Sequence, residues 1–298
     1  MLRRSVFGLG LGVLAVFGLV SSARPPMPTG FLSAYHWQSD DPLFGGFSAI
    51  ELDAEGTNFA ALSDRGAFTT GRLIRNPAGQ IIAAVVHPIQ KLLGPDDQPL
   101  RKYRRDTEGL AMLPDGQAFV SFEGDARVAR YKTLGGRGIV LDRPKAFSHF
   151  RPNAGLEALA IAADGTLYTL PERSGTLSTP FPIFRFKDDV WDQPFSLPRR
   201  GFFLSVGADI GPDGRLYLLE REFHGLSGFA TRVRRFTIGQ TALTDEQTVM
   251  QSLPGQHDNL EGLSVWRDPQ GCLRLTMISD DNQIFLQRTE IVEYRVPD

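Results

Sequence analysis

Five stretches of this 298-residue chain can be laid over one another, and a period near 50 residues restricts a chain to a propeller or a solenoid. They are GGFSAIELDAEGTNFAALSDRG (45–66), DTEGLAMLPDGQAFVSFEGD (106–125), NAGLEALAIAADGTLYTLPERS (153–174), FLSVGADIGPDGRLYLLERE (203–222) and DNLEGLSVWRDPQGCLRLTMISDDN (258–282). Each holds an apolar run, a turn ending in glycine and a second apolar run that ends in an acid. The turns are Glu55-Gly56, Asp115-Gly116, Asp164-Gly165, Asp213-Gly214 and Gln270-Gly271. Asp-Gly between hydrophobic runs marks a hairpin, because a tight turn needs positive φ there. Further strand-like runs follow each hairpin, such as Arg127 to Lys132 and Gly138 to Leu141. Four strands per repeat is the blade of a β-propeller.

The fold expected is therefore all-β, a propeller of five four-stranded blades, or six if the long 67–105 segment hides another. Gly 31 and Pro 20 agree with many short strands joined by turns. The last repeat leaves room for only three strands, so Phe31 to Trp37 is expected to supply the fourth and close the ring. Closure of this kind removes exposed sheet edges. The single cysteine, Cys272, excludes an intramolecular disulfide and any CxxC motif. It lies in the last hairpin and, like Trp266, is expected in the core. A net charge of -2 argues against a nucleic-acid partner.

Residues 1–23 read as a cleavable signal peptide. Arg3 and Arg4 precede an uncharged run from Val6 to Val20, and Ser21-Ser22-Ala23 predicts cleavage before Arg24. The run is short for a membrane span of about 20 residues, so no stable anchor is expected after cleavage. The protein is expected to be periplasmic or secreted, and a monomer. Residues 24–42 then form a linker and the closing strand, and 43–298 the propeller.

The acids of the repeats converge on one end. With a two-residue turn at Asp115-Gly116, Glu108 falls directly opposite Glu123; the same rule sets Glu157 opposite Glu172. Like charges so placed destabilise a sheet unless a proton, an arginine or a metal lies between them. The fifth repeat offers Glu261 against Asp280, the first Asp64 beside Arg65, and the fourth Glu220 beside Arg221. Glu51 and Asp209 lie three residues beyond Ser48 and Val206, which stand where other repeats have glutamate. The connections reaching this end carry Arg101 to Arg105, Lys145 to Arg151, Pro198 to Arg200, and Gln256-His257-Asp258. Oxygen-rich clusters suit a hard divalent cation such as Ca²⁺, and nearby arginines suit an anionic substrate.

These residues also have plain structural readings. Repeated acids in propellers tie blades together through backbone N–H groups or arginines, and the Arg101 to Arg105 run reads as a solvated loop. His149, His224 and His257 are candidate general acids or ligands, or simply packed. No G-x-S-x-G, H-E-x-x-H, Walker A or dinucleotide fingerprint is present, which disfavours serine hydrolase and nucleotide chemistry.

The strings GGFSAIEL…ALSDRG, DTEGLAML, NAGLEALA, DGRLYLLEREF and NLEGLSVW…ISDDN together resemble the bacterial family called esterase-like activity of phytase, over roughly residues 43–295. The resemblance implies a β-propeller, export, and hydrolysis of phosphoesters or esters. The acid constellation of the calcium-dependent propeller phytases has no residue-by-residue counterpart here. On this reading Asp64, Glu108, Glu123, Glu157, Glu172, Glu220, Glu261 and Asp280 hold a divalent cation, with Glu108, Glu157, Glu261 and His257 as catalytic candidates. Arg65, Arg105, Arg173 and Arg221 steady a small anionic or ester substrate. A calcium-dependent lactonase and a non-catalytic binding or scaffold propeller are the alternatives.

Overall fold

The computed structural model describes residues 25–150 and 155–297; the leader 1–23 and its cleavage point lie outside the described residues. The chain opens with β1 (Phe31–His36), which waits for a partner from the far end. Blade one is β2 (Phe47–Leu52), β3 (Asn58–Ser63), β4 (Ala67–Arg75) and β5 (Ile81–Val86), with a short β6 (Gln90–Lys91) on β4. Blade two is β7 (Thr107–Met112), β8 (Ala118–Phe122), β9 (Arg127–Tyr131) and β10 (Gly138–Val140). Blade three is β11 (Leu156–Ile161), β12 (Leu167–Pro171), β13 (Phe181–Lys187) and β14 (Val190–Leu197). Blade four is β15 (Leu204–Ile210), β16 (Leu216–Phe223), β17 (Phe229–Ile238) and β18 (Leu243–Gln251). Blade five is β19 (Asn259–Arg267), β20 (Leu273–Asp280) and β21 (Glu290–Arg295), completed by β1. The 67–105 segment belongs to blade one and its exit, so the propeller has five blades. The helical turns among the described residues are short 3-10 segments at Lys102–Arg104, Lys145–His149 and Gly225–Ser227.

Alternation of side chains along each strand gives every blade two apolar faces, one for each neighbour. On β8, Ala118, Val120 and Phe122 pack with Leu62 and Phe68 of blade one, whereas Phe119 packs with Leu159 and Phe184 of blade three. Five such clusters, one per junction, form the core, and the inner strands β2, β7, β11, β15 and β19 contact one another in sequence round the axis. Closure follows the expected scheme: β1 pairs antiparallel with β21, Ala34 opposite Val292, and Trp37 N–H donates to the Thr289 carbonyl at 3.0 Å. At Gly30, φ is +85° and a Cβ would lie 2.1 Å from the Arg295 carbonyl oxygen, so only glycine can start this strand. Trp266 is buried as expected, but Cys272 is only half-buried, because it sits at the hairpin turn.

The hairpin turns differ from the expectation, and the difference moves the register. Leu113 N–H donates to Gln117 O and Gly116 N–H to Leu113 O, which makes Pro114-Asp115-Gly116 a three-residue loop with Gly116 at φ +88°. The hairpins at 162–166, 211–215 and 268–272 repeat this pattern. Proline at the second turn position and glycine at the left-handed position are the chemistry of that longer loop.

Candidate functional site

Every inner strand breaks register once, at the same place. The break falls at Ser48 in β2, Glu157 in β11, Val206 in β15 and Glu261 in β19, and across Glu108-Gly109 in β7. An extra residue bends a strand and re-aims its side chain, so these bulges explain why the glutamates leave the sheet pattern. A small residue follows each one (Ala49, Gly109, Ala158, Gly207, Gly262), and the packing shows why. A Cβ on Gly207 would lie 2.3 Å from the Glu261 carbonyl oxygen, and one on Gly262 would lie 2.7 Å from Ala49 Cα. The inner strands converge there, and the Glu-Gly-Leu string of the repeat is an acid aimed by a bulge beside a close approach of backbones. Ser121 Oγ accepts from the Gly109 N–H at 2.8 Å, satisfying a group the bulge frees.

The register places the second member of each set two residues further out than a two-residue turn would. Glu123 N–H donates to Asp106 O, Glu172 N–H to Gly155 O, and Asp64 N–H to Gly46 O; Arg221 pairs Leu204 and Asp280 pairs Asn259. Glu108 and Glu123, and Glu157 and Glu172, are therefore not directly opposed as expected. They still meet, because the bulge turns the first glutamate toward the second strand. Asp106, which the sequence reading passed over, is the true neighbour of Glu123. In the fourth blade the position belongs to Arg221, and Glu220 faces the other way, fully buried against Arg232 and Arg234.

The result is seven carboxylates (Asp64, Glu108, Glu123, Glu157, Glu172, Glu261, Asp280) and one arginine at equivalent positions round one end of the ring. Arg221 bridges Glu261 at 2.5 Å and Glu172 at 3.3 Å. Burial works against its charge, but the surrounding carboxylates outweigh that and raise its pKa. The rest of the arc is short of positive charge. Burial, then the neighbouring glutamates, push Glu108 and Glu157 well above the ordinary carboxylate range. Burial also pushes Glu123 up to about 7, Asp280 to about 8 and Asp64 to about 6. Glu123 lies near both Asp106 and Glu157, close enough for a proton between carboxyl groups to offset their repulsion. Asp106, Glu108 and Glu123 each offer an oxygen within 4.8 Å of the others, an all-oxygen set that fits a hard cation.

The remaining candidates are dispersed. Arg65 Nη2 donates to the Leu43 and Phe44 carbonyls at 3.0 Å, which leaves it a structural clasp at 3.9 Å from Asp64. Arg173 is exposed and donates to Glu172 at 2.8 Å. Arg105 is half-buried beside Gly66, and its guanidinium makes no hydrogen bond or ion pair among the described residues. His257 lies apart from the carboxylates: its Nε2 is 2.6 Å from the Tyr294 hydroxyl, its Nδ1 is 3.7 Å from Glu290, and Phe31 packs on its ring. His149 and His224 are exposed. A second tier lies three residues beyond the bulges, at Glu51, Ala111, Ala160, Asp209 and Ser264. Blades one and four, which lack the bulge glutamate, carry their acid here. Burial, then Asp209, raises Glu51 well above its ordinary value, and burial raises Asp209 to about 7 although Val265 N–H donates to it at 2.6 Å.

The family described as Phytase-like, esterase-like activity of phytase, matches residues 42–283, from the first repeat to the end of the last. The chain belongs to this family. No curated protein matches it. Among solved structures, this phytase-like propeller is similar to a streptogramin B lyase at 14% identity, over 89% of this chain and 73% of that one, with a TM-score of 0.43. It is similar to the PQQ-bound aldose sugar dehydrogenase of Streptomyces coelicolor at 12% identity, over 91% and 100%, with a TM-score of 0.48. A Bacteroides caccae protein of unknown function matches at 9% identity, over 85% and 81%, with a TM-score of 0.45. Likenesses at these scores carry no argument about the chemistry of this chain.

Proposed function

We propose that this phytase-like propeller is a metal-assisted hydrolase of phosphoesters or esters. One observation carries the reading: Asp106, Glu108 and Glu123 gather oxygens within 4.8 Å, Glu108 buried and the other two half-buried, and none of them forms an ion pair with a guanidinium among the described residues. Asp106, Glu108 and Glu123 would hold a divalent cation such as Ca²⁺, which supplies Lewis-acid polarisation of a phosphoryl or carbonyl oxygen when bound. Glu157, whose pKa burial and the neighbouring glutamates raise well above the ordinary range, is placed to hold a proton at the edge of the set and to pass it to a leaving group. Glu261 is held by Arg221 and by Asn259 Nδ2 at 2.8 Å, so it keeps a fixed position beside them. Arg105 and Arg173 are the mouth cations left to steady an anionic substrate. The n-region and short apolar run of residues 1–23 support export of the protein to the periplasm or beyond, and we read it as a monomer.

The test is metal analysis of the purified full chain, then turnover of phosphomonoester, carboxylester and lactone substrates with and without chelator. Stoichiometric divalent metal, with turnover that chelator abolishes and Glu108→Gln reduces at least a hundredfold, is the expected result. Turnover confined to lactones would move the protein to the lactonase class. Metal-free protein with no turnover on any substrate, with or without added Ca²⁺, would leave a binding or scaffold propeller.

A further inference from the structure

Outside the carboxylate ring, the junction of blades one and two holds a half-open cavity of about 650 Å³ with a different chemistry. The segment from Gly94 to Arg104 straps across from blade one, pinned where Gly138 N–H donates to the Leu93 carbonyl at 3.0 Å. Beneath it lies the face of β8 and β9. Phe122, Leu100 and Val140 give the cavity apolar walls, while Arg101, Arg104, Arg127 and Tyr131 give it polar ones.

Guanidiniums outnumber carboxylates at this place: Arg101, Arg104, Arg127 and Arg143 face Asp96 and Asp125. Asp96 lines the cavity near Arg101, and Asp125 is approached by Arg143 to 2.6 Å, by Arg104 to 3.3 Å and by Arg127 to 3.6 Å. Arg127 is 2% exposed and is fixed with its guanidinium 3.7 Å over the Phe122 ring. It donates only to the carbonyls of Asp125 and Arg104, so most of its donor capacity is unspent. Burial and the nearby Arg104 lower its pKa to about 10, the mark of a cation without an adequate counter-charge. Tyr131 is 1% exposed overall and lines the cavity, and its hydroxyl makes no hydrogen bond among the described residues, so it is free to donate into the cavity. Gly138 keeps this wall open: a Cβ there would lie 2.5 Å from Tyr131 Cζ and 2.6 Å from its hydroxyl.

We propose that this cavity is a binding site for an organic carboxylate with an aromatic body. The carboxylate would accept from Arg127, Arg104 and the Tyr131 hydroxyl, and the ring would lie among Phe122, Leu100 and Val140. The volume falls within the range of small-molecule sites. None of the lining residues belongs to the carboxylate ring, so the site is independent of the hydrolase reading.

Calorimetric titration of the full chain with benzoate, 2-naphthoate, 2-naphthylmethanol and inorganic phosphate tests it. The aryl carboxylates should saturate one site, at least tenfold tighter than the neutral alcohol or phosphate, and chelator should leave this binding unchanged. Arg127→Gln should abolish it. Because that substitution empties a buried position, Tyr131→Phe and Arg104→Gln serve as folded companions, each expected to weaken 2-naphthoate about tenfold with an unchanged melting curve. Absence of saturable carboxylate binding overturns the proposal. So does equal binding of the alcohol, or wild-type affinity in both companion variants.

Discussion

Blades two and four bury acids at the same end of the ring and treat them in opposite ways. In blade four, Glu220 accepts from Arg232 Nε at 2.8 Å, Arg234 Nε at 2.8 Å and Arg234 Nη2 at 2.6 Å. Arg234 continues to Glu246, whose carboxyl is held down to about 2 by Arg200 and Arg234. In blade two, Asp106, Glu108 and Glu123 have no ion-pair partner among the described residues, and Glu123 is pushed up to about 7. The cause is one strand away. In β17, Arg232 and Arg234 stand opposite Glu220 and Leu218, whereas the arginine of β9 at the same end, Arg127, lies over Phe122 and forms an ion pair with Asp125 but with none of Asp106, Glu108 and Glu123. A buried acid with its own guanidiniums belongs to the scaffold. One without them must hold a proton or a cation, and that separates structural acids from chemical ones more surely than the repeat pattern does.

The largest effect expected from this contrast is in blade four. Glu220→Gln leaves two buried guanidiniums facing a neutral amide and should destabilise the protein by about 3–5 kcal/mol at any pH near neutrality. The thermal midpoint should fall by on the order of 10 °C. A shift below 2 °C would erase the distinction drawn between the blades. Blade two should answer differently. With divalent metal at roughly 100 times its dissociation constant, chelation should remove about 2.7 kcal/mol of stability. The Glu108→Gln, Glu157→Gln double variant should melt the same with and without chelator. A double variant that is as chelator-sensitive as the parent would place the metal elsewhere.

The smallest effect tests the second tier. Asp209 has its folded pKa raised from 3.8 to about 7, so the native state holds the proton more tightly than the unfolded chain. Stability is then greatest below the unfolded value, falls as pH rises through this window, and stays low above about 7. Asp209→Asn should remove that fall and gain about 1–2 kcal/mol at pH 8, less than the ~4 kcal/mol of a three-unit shift because the new amide N–H₂ needs a partner. Melting curves at pH 5 and pH 8 read it directly; a variant less stable than the parent at pH 8 would show that the anion accepting from Val265 N–H outweighs the cost of its burial.

Blade number, hairpin positions and N-terminal closure were legible because each rests on local chemistry: glycine at positive φ, alternation along strands, and a last repeat one strand short. The placing of the acids was less legible. Pro114, Pro212 and Pro269 each precede the final turn pair, and proline at that position announces a three-residue loop; reading only Asp-Gly gave the shorter turn and the wrong opposition of Glu108 with Glu123. The bulges have no residue signature of their own, since Ser48, Val206 and three glutamates all occupy them. Small residues after each bulge were the available trace, but their role depends on how closely neighbouring inner strands approach. Glu220 and Arg221 exchanged places for the same reason: a register error of one residue turns every side chain to the other face. Asp106 escaped notice because Gly46, Gly155, Leu204 and Asn259 fill its position in the other repeats.

The pairing of β1 with β21 has a consequence for how the molecule comes into being. Blade five is assembled from residues 31–36 and residues 259–295, so its last contacts span almost the entire sequence. Four blades can each form as local sheets of neighbouring strands, but the ring stays open until β21 pairs with β1. Until then the apolar flanks of blades one and four, including Phe47, Ile50 and Val206, have no neighbour to cover them. Contacts between distant parts of a chain form slowly and leave aggregation-prone intermediates exposed. Birth of this protein therefore has a vulnerable interval that ends in a single event, the arrival of its final strand beside its first.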